Sequence, residues 1–124
     1  MVEGGLTALV GLHDKMLVSA VRDALDYFGY KADFVTAPVE MIRLAQEKPY
    51  DCYLMDLNLG SPGGEDISPA ESIYGIVKQR VESGRAKFLA ISARERVVKA
   101  ALAKGIPSKD KGNPYFNLID WLEQ

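Results

Sequence analysis

Short apolar runs with strand character alternate with longer stretches whose apolar residues recur at three and four residue steps, and the alternation continues along the whole chain. The first run, Leu6 to Leu12, follows a pair of glycines and gives way to the polar sequence His13-Asp14-Lys15. Met16, Leu17, Ala20, Val21, Ala24, Leu25 and Phe28 then return at helical spacing, with Asp14 placed to cap the helix and Gly29 to stop it. Residues 31–36 read as a second strand, and Pro38 to about Glu47 as a helix whose proline suits the first turn. The third strand is the clearest: YDCYLMDL packs apolar and β-favouring residues into a run short enough for a buried parallel strand, and it ends at an acid, Asp56.

The segment after it, NLGSPGGEDISPAES, is rich in Gly, Pro, Asp and Ser and reads as loop until a helix begins near Pro69 and runs to about Glu82. Ala86 to Ile91 gives a fourth strand, and about Arg94 to Lys104 a helix that stops at Gly105. IPSKDK offers one good strand residue and reads as a weak fifth strand before a last helix from Pro114 to Glu123, in which Tyr115, Phe116, Leu118, Ile119, Trp121 and Leu122 are available for burial. Five βα units with right-handed crossovers predict an α/β fold, a flavodoxin-like three-layer sandwich around a five-stranded parallel sheet. Ligands of such sheets gather at the carboxyl ends of the strands.

Length sharpens this: 124 residues suffice for one domain with a real core and leave no room for a second, so the expectation is a single domain with no attached output domain, acting through its surface. A net charge of −2 with balanced signs argues against a nucleic-acid partner. The single cysteine, Cys52, lies in the apolar third strand and reads as a buried core thiol in a reducing compartment. Neither a signal peptide nor an apolar run long enough to cross a bilayer is evident, so a soluble, cytoplasmic protein is expected. Gly63-Gly64 lacks the Gly-Lys-Ser or Gly-Lys-Thr that would make it a nucleotide loop.

The strand-end rule selects Leu12, His13 and Asp14 after the first strand, Asp56 to Asn58 after the third, Ser92 after the fourth, and Lys109 or Lys111 near the fifth. Carboxylates there suit a hard cation such as Mg²⁺, an ammonium and a hydroxyl suit phosphoryl oxygens, and an aspartate can itself form an acyl phosphate. Each residue has a plainer structural role as well. His13 serves as a satisfied polar residue at a strand end, Ser92 as a helix cap, and either lysine as a solvated charge.

With these residues in place the chain resembles the receiver domains of two-component response regulators over nearly all its length. The likeness is carried by the first strand and the helix ending in FGY, by YDCYLMDLN, by LAISA, and by the AKGI to KDKGNP tail. It implies that Asp56 is the phosphoacceptor for a histidine kinase or phosphotransfer protein, that the Asn58 carbonyl faces Mg²⁺, and that Ser92 is the switch hydroxyl. It also implies a phosphate-contacting lysine, for which Lys111 needs fewer missing residues than Lys109; Ser108 then stands in place of the family's aromatic switch residue.

The departure lies after the first strand, where the family carries two consecutive acids. An ungapped match from Leu9 to Gly29 puts Leu12 and His13 there; a shift of one residue would leave His13-Asp14 as a half-kept pair. The expected Mg²⁺ site of Asp14, Asp56 and Asn58 is therefore weak or altered. Two functions follow: a phosphorylation-controlled receiver, or a pseudo-receiver that binds partners without phosphoryl chemistry. In neither is the chain an enzyme with turnover of its own beyond self-phosphorylation and dephosphorylation. Both would use the surface of the fourth helix, fifth strand and fifth helix for a protein partner, as a monomer or weak homodimer, with no membrane contact. A small flavodoxin-like ligand-binding domain or enzyme is the third reading. The loop from Leu59 to Ser68 either screens Asp56 or is an ordinary insertion.

Overall fold

The computed structural model describes residues 5–61, 64–110 and 118–123. In chain order the elements are β1 (Leu6–Gly11), α1 (Lys15–Tyr27), β2 (Tyr30–Val35), α2 (Pro38–Glu47), β3 (Cys52–Asp56), α3 (Ser68–Glu82), β4 (Lys87–Ser92), α4 (Glu95–Ala103), β5 (Ser108–Asp110) and α5 (Leu118–Glu123). The strands form one sheet in the order β2-β1-β3-β4-β5, with every neighbouring pair parallel.

Strand alternation divides the apolar residues between two cores. Leu9, Tyr53, Met55, Phe88 and Ala90 face α2, α3 and α4, where Met41, Ile73, Val77, Val97 and Ala101 complete one cluster. Ala8, Val10, Cys52, Leu54, Leu89 and Ile91 face the other way, against Val21 and Leu25 of α1 and Trp121 and Leu122 of α5. A sheet covered on both faces explains why β3 has no polar alternation and is buried at every position.

The centre of the sheet has room for nothing at Gly11. A Cβ there would lie 2.5 Å from Met41 Sδ and 2.8 Å from Leu59 Cδ2, so this strand end is closed by α2 and the residue after Asn58. β5 is an edge strand paired only with β4, through three residues, in keeping with its weak sequence signal. In α1 the helical stripe is narrower than its apolar residues: Val21 and Leu25 are buried, Leu17, Ala24 and Phe28 are half-buried, and Met16 and Ala20 face solvent. α3 starts at Ser68, one residue before the expected Pro69, because a proline tolerates the first turn, where its missing N–H has no intrahelical acceptor. Lys111, Pro114, Tyr115 and Phe116 lie outside the described residues.

Candidate functional site

Three parallel strands end side by side at the sheet centre. Gly11 of β1 pairs with Met55 of β3, Asp56 pairs with Ile91 of β4, and Ser92 of β4 pairs with Asp110 of β5. The pairing continues just past β3, where the Leu57 N–H donates to the Ile91 carbonyl at 2.8 Å. The carboxylate of Asp56 therefore emerges at the carboxyl edge and is still buried, 2% exposed.

A buried carboxylate is tolerated only with hydrogen-bonding or charged partners. His13 supplies two. Its backbone N–H donates to Asp56 Oδ2 at 3.1 Å, and its imidazole Nδ1 stands 2.8 Å from the same oxygen. The chain reaches this geometry because Leu12 is drawn into the core beside α1 and α5, 1% exposed, and its N–H extends the sheet by donating to the Val35 carbonyl at 3.2 Å. With residue 12 anchored inward, residue 13 turns its side chain across the end of β3. The imidazole is 32% exposed, so one edge of it touches Asp56 and the rest faces outward.

Asp14 does not join them. Its Oδ1 accepts the N–H groups of Met16 at 2.9 Å and Leu17 at 3.3 Å, capping α1 at the surface. The expected placement of Asp14 in a cation site with Asp56 is thus corrected: the first helical turn has orphan N–H donors that this side chain satisfies. Asn58 is 6% exposed and spends both its polar ends on the following loop. Its side-chain NH₂ donates to the Asp66 carbonyl at 2.9 Å, and its own carbonyl, expected to face Mg²⁺, accepts the Ser61 N–H at 2.9 Å. Among the described residues no group of three or more His, Cys, Asp or Glu side chains is arranged to hold a metal ion. Mg²⁺ binds through several oxygens in near-octahedral geometry. Among the described residues at this edge, Asp56 is the carboxylate that could contribute, and its Oδ2 is held by His13.

Ser92 is buried, 6% exposed, and its Oγ accepts the Arg94 N–H at 3.0 Å, closing the turn from β4 into α4. Ser108 is likewise buried, and its hydroxyl donates to the Ile106 carbonyl at 2.9 Å. Lys109, one of the two candidate lysines, is exposed on β5. The loop after β3 is tied to α4 on its far side: Arg94 donates to the Gly64 carbonyl at 3.0 Å, and Glu65 pairs with Arg94 at 3.2 Å and Arg96 at 2.8 Å. The contact that reading the sequence alone missed is the His13–Asp56 pair. The sequence signal for it is an imidazole directly after β1, at the strand end beside β3.

No protein-family profile matches the chain. Over 59 residues, 48% of its length, the chain is 34% identical to a terminal-differentiation-specific adenylate cyclase of Dictyostelium discoideum, and the match spans 3% of that protein. A response regulator of Burkholderia pseudomallei, solved with a phosphorylated aspartic acid, calcium and citrate, superposes with a TM-score of 0.70 at 16% identity, covering 95% of this chain and 64% of that one. The receiver domain of a sensor histidine kinase of Pseudomonas aeruginosa, with magnesium in its active-site cleft, gives a TM-score of 0.60 at 19% identity, covering 91% and 88%. A Saccharomyces cerevisiae receiver domain, co-crystallised with its histidine phosphotransfer protein, gives 0.62 at 17% identity, covering 90% and 82%. At these identities the likeness fixes the architecture rather than the chemistry: this chain has the fold of response-regulator receiver domains.

Proposed function

We propose that the chain is a receiver-fold signalling module that works by binding partner proteins, with the Asp56 carboxylate held by His13 rather than primed for phosphoryl transfer. The observation that carries this reading is the double hold of His13 on Asp56 Oδ2 at 2.8 and 3.1 Å, while the nearest acid in sequence, Asp14, is spent on a helix cap. In this state the buried carboxylate has the partners its burial demands without a divalent cation. The partner surface on this reading is formed by α4, β5 and α5. Leu102 on α4 and Ile119 on α5 are 51% and 48% exposed and offer apolar contacts on that surface. No helix among the described residues is long and apolar enough to cross a membrane, which suits a cytoplasmic role.

A second reading keeps the phosphorelay. Asp56 ends β3 and Ser92 ends the adjoining β4, which supports reading them as phosphoacceptor and switch hydroxyl, with a phosphotransfer protein or histidine kinase as the upstream partner. The yeast neighbour solved with its phosphotransfer protein supports that class of partner. On this reading attack through Asp56 Oδ2 would need the His13 hold to loosen first, because both His13 contacts fall on that oxygen.

Incubation with acetyl phosphate, or with beryllofluoride, over a wide range of Mg²⁺ separates the two. The interaction-module reading expects no phosphoryl adduct by intact mass and no site-centred NMR shifts. An adduct that Asp56→Asn abolishes would overturn it and establish the phosphorelay reading in its place.

A further inference from the structure

A groove of about 590 Å³ opens between α1, the carboxyl ends of β1 and β2, and the start of α2, on the side of His13 away from the sheet centre. Its volume falls within the range of small-molecule sites, about 300–1,000 Å³. The inner wall is apolar: Leu12, Val18 and Phe34 line it. The lining also carries the cationic side chains of Lys15 and Arg22 and the imidazole of His13, and Ser19 and Thr36 add hydroxyls.

The charges do not cancel locally. Glu40, the one acid of the lining, is occupied by Arg43, which also bonds Glu47 at 2.7 Å. Among the described residues the ion pairs involve other cations, and neither Lys15 nor Arg22 has an acidic partner. Arg22 is nonetheless held in place, its guanidinium 4.5 Å from the centroid of the Phe34 ring. Stacking of this kind uses the face of the guanidinium and leaves its N–H edge for an acceptor. A fixed guanidinium and an ammonium above an apolar wall recognise one chemistry: a negative head on a hydrophobic body.

We propose that this groove binds a small organic anion, a carboxylate or phosphate monoester with an aromatic or short aliphatic body, whose head meets Arg22 and Lys15 and whose body lies on Val18 and Phe34. The site does not depend on how Asp56 is used. It shares a residue with Asp56 all the same, because the imidazole that lines the groove also holds Asp56 at 2.8 Å, so occupancy of the groove is felt at that pair.

The chain has a single histidine, so one imidazole signal reports the event without ambiguity. Titrating the isotope-labelled full chain with phenylbutyrate should give saturable shifts at the His13 ring and at the amides of Val18, Arg22 and Phe34. The neutral phenylbutanamide, and phenylbutyrate with Arg22→Gln or Lys15→Gln, should bind about tenfold more weakly, as expected for loss of one charged contact. Val18→Trp, which fills the groove, should abolish the shifts. Phenyl phosphate in place of phenylbutyrate tells the two head groups apart, and saturable binding of either supports the site. The inference fails if neither anion gives saturable shifts up to about 10 mM, if the neutral amide binds as tightly as the acid, or if the shifts centre elsewhere. Because Arg22→Gln and Lys15→Gln lie on the exposed face of α1, a dispersed spectrum for at least one of them keeps the charge test valid.

Discussion

Replacing His13 by alanine removes the imidazole 2.8 Å from Asp56 Oδ2 and leaves the carboxylate, 2% exposed, with the residue 13 N–H still at 3.1 Å. Removing one partner of a fully buried ion pair costs about 3–5 kcal/mol, and a hydrogen bond to a charged group contributes about 1.5–3 kcal/mol. The imidazole is 32% exposed, so water can enter on its side once it is gone. The lower range therefore applies, and the expected loss is about 2 kcal/mol. For a domain of 124 residues this corresponds to a fall in Tm of about 7 °C.

Single substitutions do not isolate the pair, because Asp56 has interactions beyond His13 that Asp56→Asn also disturbs. Urea unfolding of the wild type, His13→Ala, Asp56→Asn and the double variant does isolate it. The coupling energy should be about 1–2 kcal/mol, with each single change destabilising relative to a surface control such as Lys99→Ala. A coupling below about 0.3 kcal/mol, within the range of independent sites, would refute the argument that His13 is what allows Asp56 to be buried.

Two glycine substitutions should act with opposite sign. Gly11→Ala drives a Cβ to within 2.5 Å of Met41 Sδ and should cost about 1–3 kcal/mol in chemical denaturation, whereas Gly75→Ala in α3 meets nothing within 4 Å and should stabilise by about 0.5–1 kcal/mol. Asp14→Ala should lower stability by about 1 kcal/mol through loss of the α1 cap while leaving any response to Mg²⁺ unchanged, measured by thermal melting with and without the ion. The Cys52 thiol is pushed up to about 12 by burial, so Ellman's reagent at pH 8 should modify it only after unfolding, and fast labelling of the native chain would contradict the packing of β3. A raised folded pKa means that its contribution to stability is complete below the unfolded thiol's pKa and is lost as pH rises toward 12; Tyr50, raised by burial and by its bond to Asp33, acts in the same direction, so melting temperature should fall on the alkaline side in pH-dependent scans.

The sheet was legible because its signals are local. β3 reads as an uninterrupted apolar run, and α1, α2 and α4 read from apolar period and stop residues such as Gly29 and Gly105, both at positive φ. β5 was weak for a physical reason: as a short edge strand it has one neighbour and needs no more than Ser108 to Asp110 to continue the sheet. The exposure of Met16 and Ala20 was not legible, since a periodic stripe says which face is apolar and not how far the opposing sheet extends to cover it. Asp56 could be placed from the strand that leads to it, but what its carboxylate touches depends on residue 13, 43 positions away in the chain. Asp14 shows the same limit from the other side. Its sequence position suits both a cap and a metal ligand, and only the geometry of the first turn decides between them.

Leu12 and His13 make sense together. A carboxylate at position 12 would be buried in the cluster formed with Val21, Leu25 and Trp121, where nothing among the described residues offers it a partner, so leucine there strengthens the core behind the site. A carboxylate at position 13 would face Asp56, and two such charges at about 3 Å destabilise each other. An imidazole at that position turns the same proximity into attraction. A buried aspartate at the end of β3 and an imidazole at position 13 are therefore linked: the imidazole supplies a hydrogen-bonding partner that the burial of the carboxylate calls for. Asp56 keeps its carboxylate buried at the end of β3 against His13, and the groove beside His13 gives an outside molecule a way to that contact without entering the core.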